Sequence, residues 1–301
     1  MPLQAELTVD ARCSVGESPV WDPVRQCLWW VDIAGQSLWC WHSRAGRTQQ
    51  WPTPEQTGCI ALLAGSEGHA HGQWVAAMET GVARWTPMPD GTLHSEWLSR
   101  LRQPEPGMRF NDGRCDRQGR FRAGTMVMDM SLARAAGRLY ALDAPTPREL
   151  LAGFLTPNGM AFSPDGRTIY VSDSHHSAQL VWSYSYDIDS GTPHTPRVFI
   201  DFNTLPGRPD GAAVDADGCY WVCGNDAGLV HRFTPQGVLD RSLAVPVKKP
   251  AMCAFGGSDL RTLFVTSIRP AGDVSDQPLA GGVFALRPGV AGLDEPFCVP
   301  G

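Results

Sequence analysis

One phrase repeats along this chain: a tight turn of Asp, Ser, Pro or Gly, then a short apolar strand, then a polar step. It reads Asp22-Pro-Val-Arg-Gln-Cys-Leu-Trp-Trp-Val-Asp-Ile33, then Asp116-Arg-Gln-Gly-Arg-Phe-Arg-Ala-Gly124, then Ser163-Pro-Asp-Gly-Arg-Thr-Ile-Tyr-Val-Ser-Asp173. It returns as Asp215-Ala-Asp-Gly-Cys-Tyr-Trp-Val-Cys-Gly224 and Gly256-Gly-Ser-Asp-Leu-Arg-Thr-Leu-Phe-Val-Thr266. A degenerate copy stands at Gly65-Ser-Glu-Gly68, ahead of Trp74-Val-Ala-Ala77. The turn starts lie 41 to 52 residues apart, and each turn-strand is followed by a second strand such as Ser37–Trp41 or Gly228–Phe233. Six copies of a four-stranded unit of this length predict an all-β fold, a six-bladed β-propeller, with residues 1–301 forming one domain.

Composition agrees. The chain has 32 glycines and 25 prolines in 301 residues and only 19% charged side chains, too many breakers and too few solvating residues for long helices. Its 43% hydrophobic content is enough to bury a core, which excludes disorder. A net charge of −6 and the lack of a basic cluster beyond Lys248-Lys249 argue against nucleic acid as a partner. No apolar run is long enough to span a membrane. The opening Met1-Pro-Leu-Gln-Ala-Glu-Leu7 lacks the basic and apolar regions of a secretion signal, and the nine cysteines show no disulfide framework. Free thiols in a cytoplasmic protein are therefore expected.

The phase of the repeat locates a site. Blades are related by rotation about one axis, so residues of equal phase lie at equal height around the channel. Five residues before each turn start stand Glu17, Asn111, Asn158 and Asp210, with Ile60 and Ala251 in the other two blades. Asn and Asp next to Gly are also ordinary turn formers; four oxygen-bearing side chains in one phase are what set these apart. Two carboxylates and two amides, with no His or Cys, make a hard-oxygen set suited to one divalent cation: Ca²⁺, Mg²⁺, Mn²⁺, Zn²⁺ or Fe²⁺.

These residues also carry a resemblance. Gly16-Glu-Ser-Pro19, Arg109-Phe-Asn-Asp-Gly113, Gly124-Thr-Met126, Pro157-Asn-Gly159, Pro209-Asp-Gly211 and Leu279-Ala-Gly-Gly-Val-Phe284 resemble, in order, the motifs of the SMP-30/gluconolactonase/regucalcin family. The resemblance covers essentially the whole chain. It implies a six-bladed propeller that hydrolyses a small-molecule sugar lactone to its aldonic acid with one divalent metal in the channel. Glu17, Asn158 and Asp210 would be the metal ligands, and Arg109 and Asn111 would contact substrate. An acidic residue often follows the Gly-Thr-Met of the family; here Val127 and Met128 follow, and Asp129 is the nearest candidate for a sugar contact.

In such a reaction the metal polarises the lactone carbonyl, and Asp210 takes the proton of the attacking water. Water activated directly by the cation is the rival route, because a ligand carboxylate is a weakened base. Other classes stay open: a propeller hydrolase of other esters or phosphotriesters, or a non-catalytic calcium- or ligand-binding propeller. Rival motifs read as structure. His69-x-His71 lies in a turn, and His175-His176 point opposite ways if they lie on a strand. Asp187-Ile-Asp-Ser-Gly191 lacks the twelfth-position Glu of a calcium loop, having Val198 there. No nucleophile elbow or phosphate loop occurs.

Overall fold

The acidic residue that opens the repeated phrase explains why the phrase folds as a hairpin. In a computed structural model that describes residues 5–65, 68–69 and 71–299, Asp22 Oδ1 accepts the backbone N–H groups of Val24 and Arg25. Asp116 does the same for Gln118 and Arg120, and Asp215 for Asp217 and Cys219. All three carboxylates are fully buried, and each also meets a guanidinium: Arg25 at 2.9 Å, Arg120 at 2.7 Å and Arg232 at 2.7 Å. A side chain that satisfies two turn amides and is itself neutralised fixes the tight turn without leaving buried donors orphaned. Ser66 and Glu67 of the degenerate copy lie outside the described residues.

Each hairpin joins the two inner strands of a four-stranded antiparallel sheet, and there are six such sheets. The innermost strands are Gly16–Asp22, Thr57–Leu62, Met108–Cys115, Pro157–Phe162, Arg208–Val214 and Pro250–Gly256, in blades 1 to 6. Each packs against the next, and the sixth packs against the first, closing a six-bladed β-propeller. The closing device was not read from the sequence: the outermost strand of blade 6 is Glu6–Val9, paired antiparallel with Val283–Leu286. It carries no repeat phrase to announce it.

Between blades lie apolar sandwiches. Trp29 and Trp51 of blade 1 are fully buried with Trp74 and Trp85 of blade 2, and the Trp29 and Trp74 rings are 4.9 Å apart. These four tryptophans are thus packing between blades. Residues 287–299, beyond the last strand, cross one end of the channel. They bridge to Asp215 of blade 5 and Leu63 of blade 2, and Glu295 pairs there with Arg114. This strap makes that end a floor and leaves the opposite end as the mouth.

Candidate active site

All six inner strands carry a one-residue bulge near the mouth, at Glu17/Val20, Thr57/Cys59, Phe110/Gly113, Asn158/Ala161, Pro209/Ala212 and Pro250/Cys253. A bulge re-aims a side chain, and here it turns Glu17, Asn111, Asn158 and Asp210 towards the axis. The residues that follow explain the motif spelling. Gly159 sits at φ +58°, and a Cβ there would lie 2.8 Å from the carbonyl oxygen of Asp210. Gly211 has the second constraint alone: a Cβ would lie 2.3 Å from Met252 Cβ. Ser18, after Glu17, takes the left-handed conformation without being glycine, at φ +51°. Its hydroxyl accepts the Ile60 N–H across the blade boundary, which holds the costly conformation in place.

Counting by phase slips only in blade 2. There the bulge stands at Thr57–Cys59, so Ile60 lies beyond it and packs in the core beside Trp29 and Trp74.

Asn158 Nδ2 donates to Asp210 Oδ1 in a short hydrogen bond, which brings blades 4 and 5 together at the axis. Asn225, at the end of the neighbouring strand Tyr220–Asn225, donates to the other oxygen, Asp210 Oδ2. Burial pushes the Asp210 carboxyl up to about 7. Burial, and then the carboxylates of Asp210 and Asp112, push Glu17 well above its ordinary range. Glu17 is 7% exposed, and the one hydrogen bond found for it among the described residues comes from the adjacent Ser18 N–H at 3.2 Å. A buried carboxylate this poorly compensated calls for a positive charge beside it. The donor set, two carboxylates and an amide with oxygens only, fits a divalent cation.

Arg109 lies beside this set. Its Nη1 donates to Asn111 Oδ1 at 2.7 Å and to the Phe110 carbonyl at 2.8 Å. Burial lowers its pKa to about 10, which leaves it charged at neutral pH, with Glu17 opposing the shift. Asn111 in turn donates to the Pro157 carbonyl at 3.0 Å, so it fixes the arginine fork and ties blade 3 to blade 4. Asp129 makes local contacts. It is exposed, and its carboxylate caps the short 3₁₀ turn Met130–Leu132 through the N–H and hydroxyl of Ser131.

His175 is buried with both ring nitrogens engaged, by Ser177 Oγ at 2.8 Å and the Met130 carbonyl at 3.0 Å, so it braces a loop. His69 is exposed as the turn reading expects, whereas His71 is buried against Trp51. Asp187 to Gly191 is a hairpin turn, its Asp187 Oδ1 accepting two backbone N–H groups.

Sequence reasoning missed four polar residues around the site. Asp112 is buried and accepts the Met160 N–H at 2.8 Å across the blade boundary. Asn225 orients Asp210. Arg208, two residues before Asp210, donates to Asp226 at 2.8 Å and to the Ser174 carbonyl at 3.0 Å. Lys249, just before the inner strand of blade 6, also pairs with Asp226. The available signal was the paired strand: Asn225 ends the second strand of its blade, as Asp32 and Asp173 end theirs. Those two instead accept N–H groups of the entering loops, at Ser14, Val15, Leu155 and Thr156.

A family profile for the SMP-30/Gluconolactonase/LRE-like region matches residues 15–269. The chain is 38% identical over 288 residues to the 6-deoxy-6-sulfogluconolactonase of Pseudomonas putida, covering 94% of each protein. It is 33% identical to the L-arabinolactonase of Azospirillum brasilense over 299 residues, 96% of this chain and 94% of that one. Among solved structures, the calcium-binding protein regucalcin from Agrobacterium tumefaciens superimposes with a TM-score of 0.89 at 28% identity. That match covers 99% of this chain and 98% of the other.

Proposed function

Because the chain belongs to the SMP-30/gluconolactonase/LRE-like family, we propose that it hydrolyses a sugar lactone to the corresponding acid at the channel mouth. The observation that carries this reading is the convergence of Glu17, Asn158 and Asp210, buried and short of positive charge, beside the Arg109–Asn111 pair. Glu17, Asn158 and Asp210 hold the divalent cation. When bound, it supplies the positive charge that polarises a lactone carbonyl and stabilises the developing oxyanion, a contribution of several kcal/mol.

The remaining work falls to the chain's own groups. Arg109 spends one nitrogen on Asn111 and Phe110, which keeps its other donors for a ring or carbonyl oxygen of the substrate. Asp210 accepts the proton of the attacking water, held in orientation by Asn225. The bond from the acyl carbon to the ring oxygen breaks, and that oxygen leaves as a hydroxyl, taking the proton that Asp210 received from the water. The product acid ionises, so turnover acidifies the solution.

One feature favours a substrate that carries a negative charge of its own. Arg208 and Lys249 both pair with Asp226, next to Asp210, which places two basic side chains near the mouth. The sulfogluconolactonase relative is, by its name, an enzyme of a sulfonated lactone.

The test is acidification of a weakly buffered solution by a panel of neutral and anionic pentono- and hexonolactones, on metal-stripped protein and after adding back one metal at a time. Turnover that needs an added cation is expected, and turnover that survives full chelation refutes the site. Lys249→Ala should raise KM for anionic lactones more than for neutral ones. An equal effect on both refutes the charge argument.

A further inference from the structure

Blade 1 brings together a second group of metal-binding side chains, outside the channel set. Cys27 opens the strand Cys27–Asp32, while Cys40 and His42 stand on Ser37–His42. Cys27 lies directly across from His42, and Cys40 is two residues along, so all three share one face of the sheet. Cys27 Sγ is 3.1 Å from His42 Nδ1, and Cys40 Sγ is 3.7 Å from His42 Nε2. One donor atom from each of the three lies within 4.8 Å of the others. Both cysteines are fully buried and His42 is half-buried.

We propose that Cys27, Cys40 and His42 bind a thiophilic divalent cation, Zn²⁺ foremost, at a site independent of the channel.

Three observations support it. First, the donors are of the right kind. Two thiolates and an imidazole select zinc-like ions over calcium or magnesium, the reverse of the all-oxygen channel set. Second, the distances suit one ion. Zinc bonds of about 2.3 Å to sulfur and about 2.0 Å to nitrogen put tetrahedral ligand atoms roughly 3.5–4 Å apart. The three donor atoms, all within 4.8 Å of one another and with Cys27 Sγ 3.1 Å from His42 Nδ1, bracket that range. Third, His42 already has the support that a metal-bound imidazole uses. Nε2 is 2.9 Å from Gln49 Oε1, on the neighbouring strand. A proton on Nε2 donated to Gln49 leaves Nδ1, the nitrogen facing Cys27, with its lone pair free for a metal.

Charge balance points the same way. Two thiolates cancel a divalent cation, so the filled cluster enters the interior neutral. Three protein ligands leave a fourth position for water or an added ligand.

The experiment uses full-length protein, stripped of metal and loaded with Zn²⁺ or with Co²⁺ as an optical probe. The channel is disabled in one variant by Glu17→Gln with Asp210→Asn, and the cluster in others by Cys27→Ser with Cys40→Ser, or by His42→Asn. Wild-type protein and the channel variant should retain Zn²⁺ through dialysis and show thiolate-to-cobalt charge-transfer absorption. The cysteine variant should lose both, and His42→Asn, at a half-buried position that spares the core, should bind Zn²⁺ at least about 100-fold more weakly. Absence of the charge-transfer band in folded, reduced wild-type protein overturns the proposal, whatever the variants do. So does a band that survives in the cysteine variant, or a channel variant that takes up no Zn²⁺.

Discussion

Replacing Asp210 with asparagine should make the cation-free protein more stable while abolishing its cation response. The Asp210 carboxyl is pushed from its ordinary 3.8 up to about 7, chiefly by burial, a shift of about 3 units. At about 1.4 kcal/mol per unit, the ionised folded form is disfavoured by about 4 kcal/mol relative to the unfolded chain. The sign follows from proton binding. Between pH 4 and 7 the folded state holds this proton and the unfolded state does not, so stability is full below about pH 4 and is lost as pH rises through 7.

Asparagine escapes that loss. It gives up one acceptor, because Asn158 and Asn225 both donate to Asp210, at a cost of about 1 kcal/mol. The net expectation at pH 8 is a gain of about 3 kcal/mol, falling to a loss of about 1 kcal/mol at pH 4. Urea denaturation of both proteins in chelator at pH 4, 6 and 8 reads this directly. A divalent cation at 100 times its dissociation constant should then add about 2.7 kcal/mol to wild type and nothing to Asp210→Asn. An asparagine variant less stable than wild type at pH 8 without cation, or one with the same slope against pH, refutes the reasoning.

Three further substitutions test the rest. Arg109→Ala should lower kcat/KM by about 10²-fold or more, because its remaining donors serve the substrate. Asn225→Ala should weaken divalent-cation binding by about 10- to 100-fold in calorimetry, since it orients a ligand that it does not replace. Glu295→Ala should cost about 2–3 kcal/mol in denaturation. It strips the Arg114 guanidinium, only 6% exposed, of its carboxylate partner, and the partial exposure of Glu295 reduces the cost from that of a fully buried pair.

The blades and most of the site were legible because both rest on local chemistry repeated in register. Asp22, Asp116 and Asp215 are turn residues by their own hydrogen bonds, and Glu17, Asn111 and Asp210 stand at a fixed distance before them along the chain. What was hidden depends on pairing across strands. Asn225 reaches Asp210 only through the sheet, and Arg208 and Lys249 meet at Asp226 from different blades. Cys27, Cys40 and His42 have no motif spacing in sequence and converge by strand register alone. Ile60 fell out of phase because the turn at Gly65 is degenerate, which moved the ruler rather than the bulge. Asp129 was reached from proximity to a motif, and one of its oxygens caps the local 3₁₀ turn.

The strand Glu6–Val9 pairs with Val283–Leu286, nearly the whole chain away. During synthesis it leaves the ribosome long before its partner and must wait, edge open, until blade 6 has emerged. Five blades can fold in order as they appear, each from local hairpins. The circle closes afterwards by a contact whose loop entropy is about the largest the chain can pay. A nascent or truncated chain thus presents two unpaired strand edges at once, each able to pair with another copy. Slow closure would set how long those edges stay open to other copies.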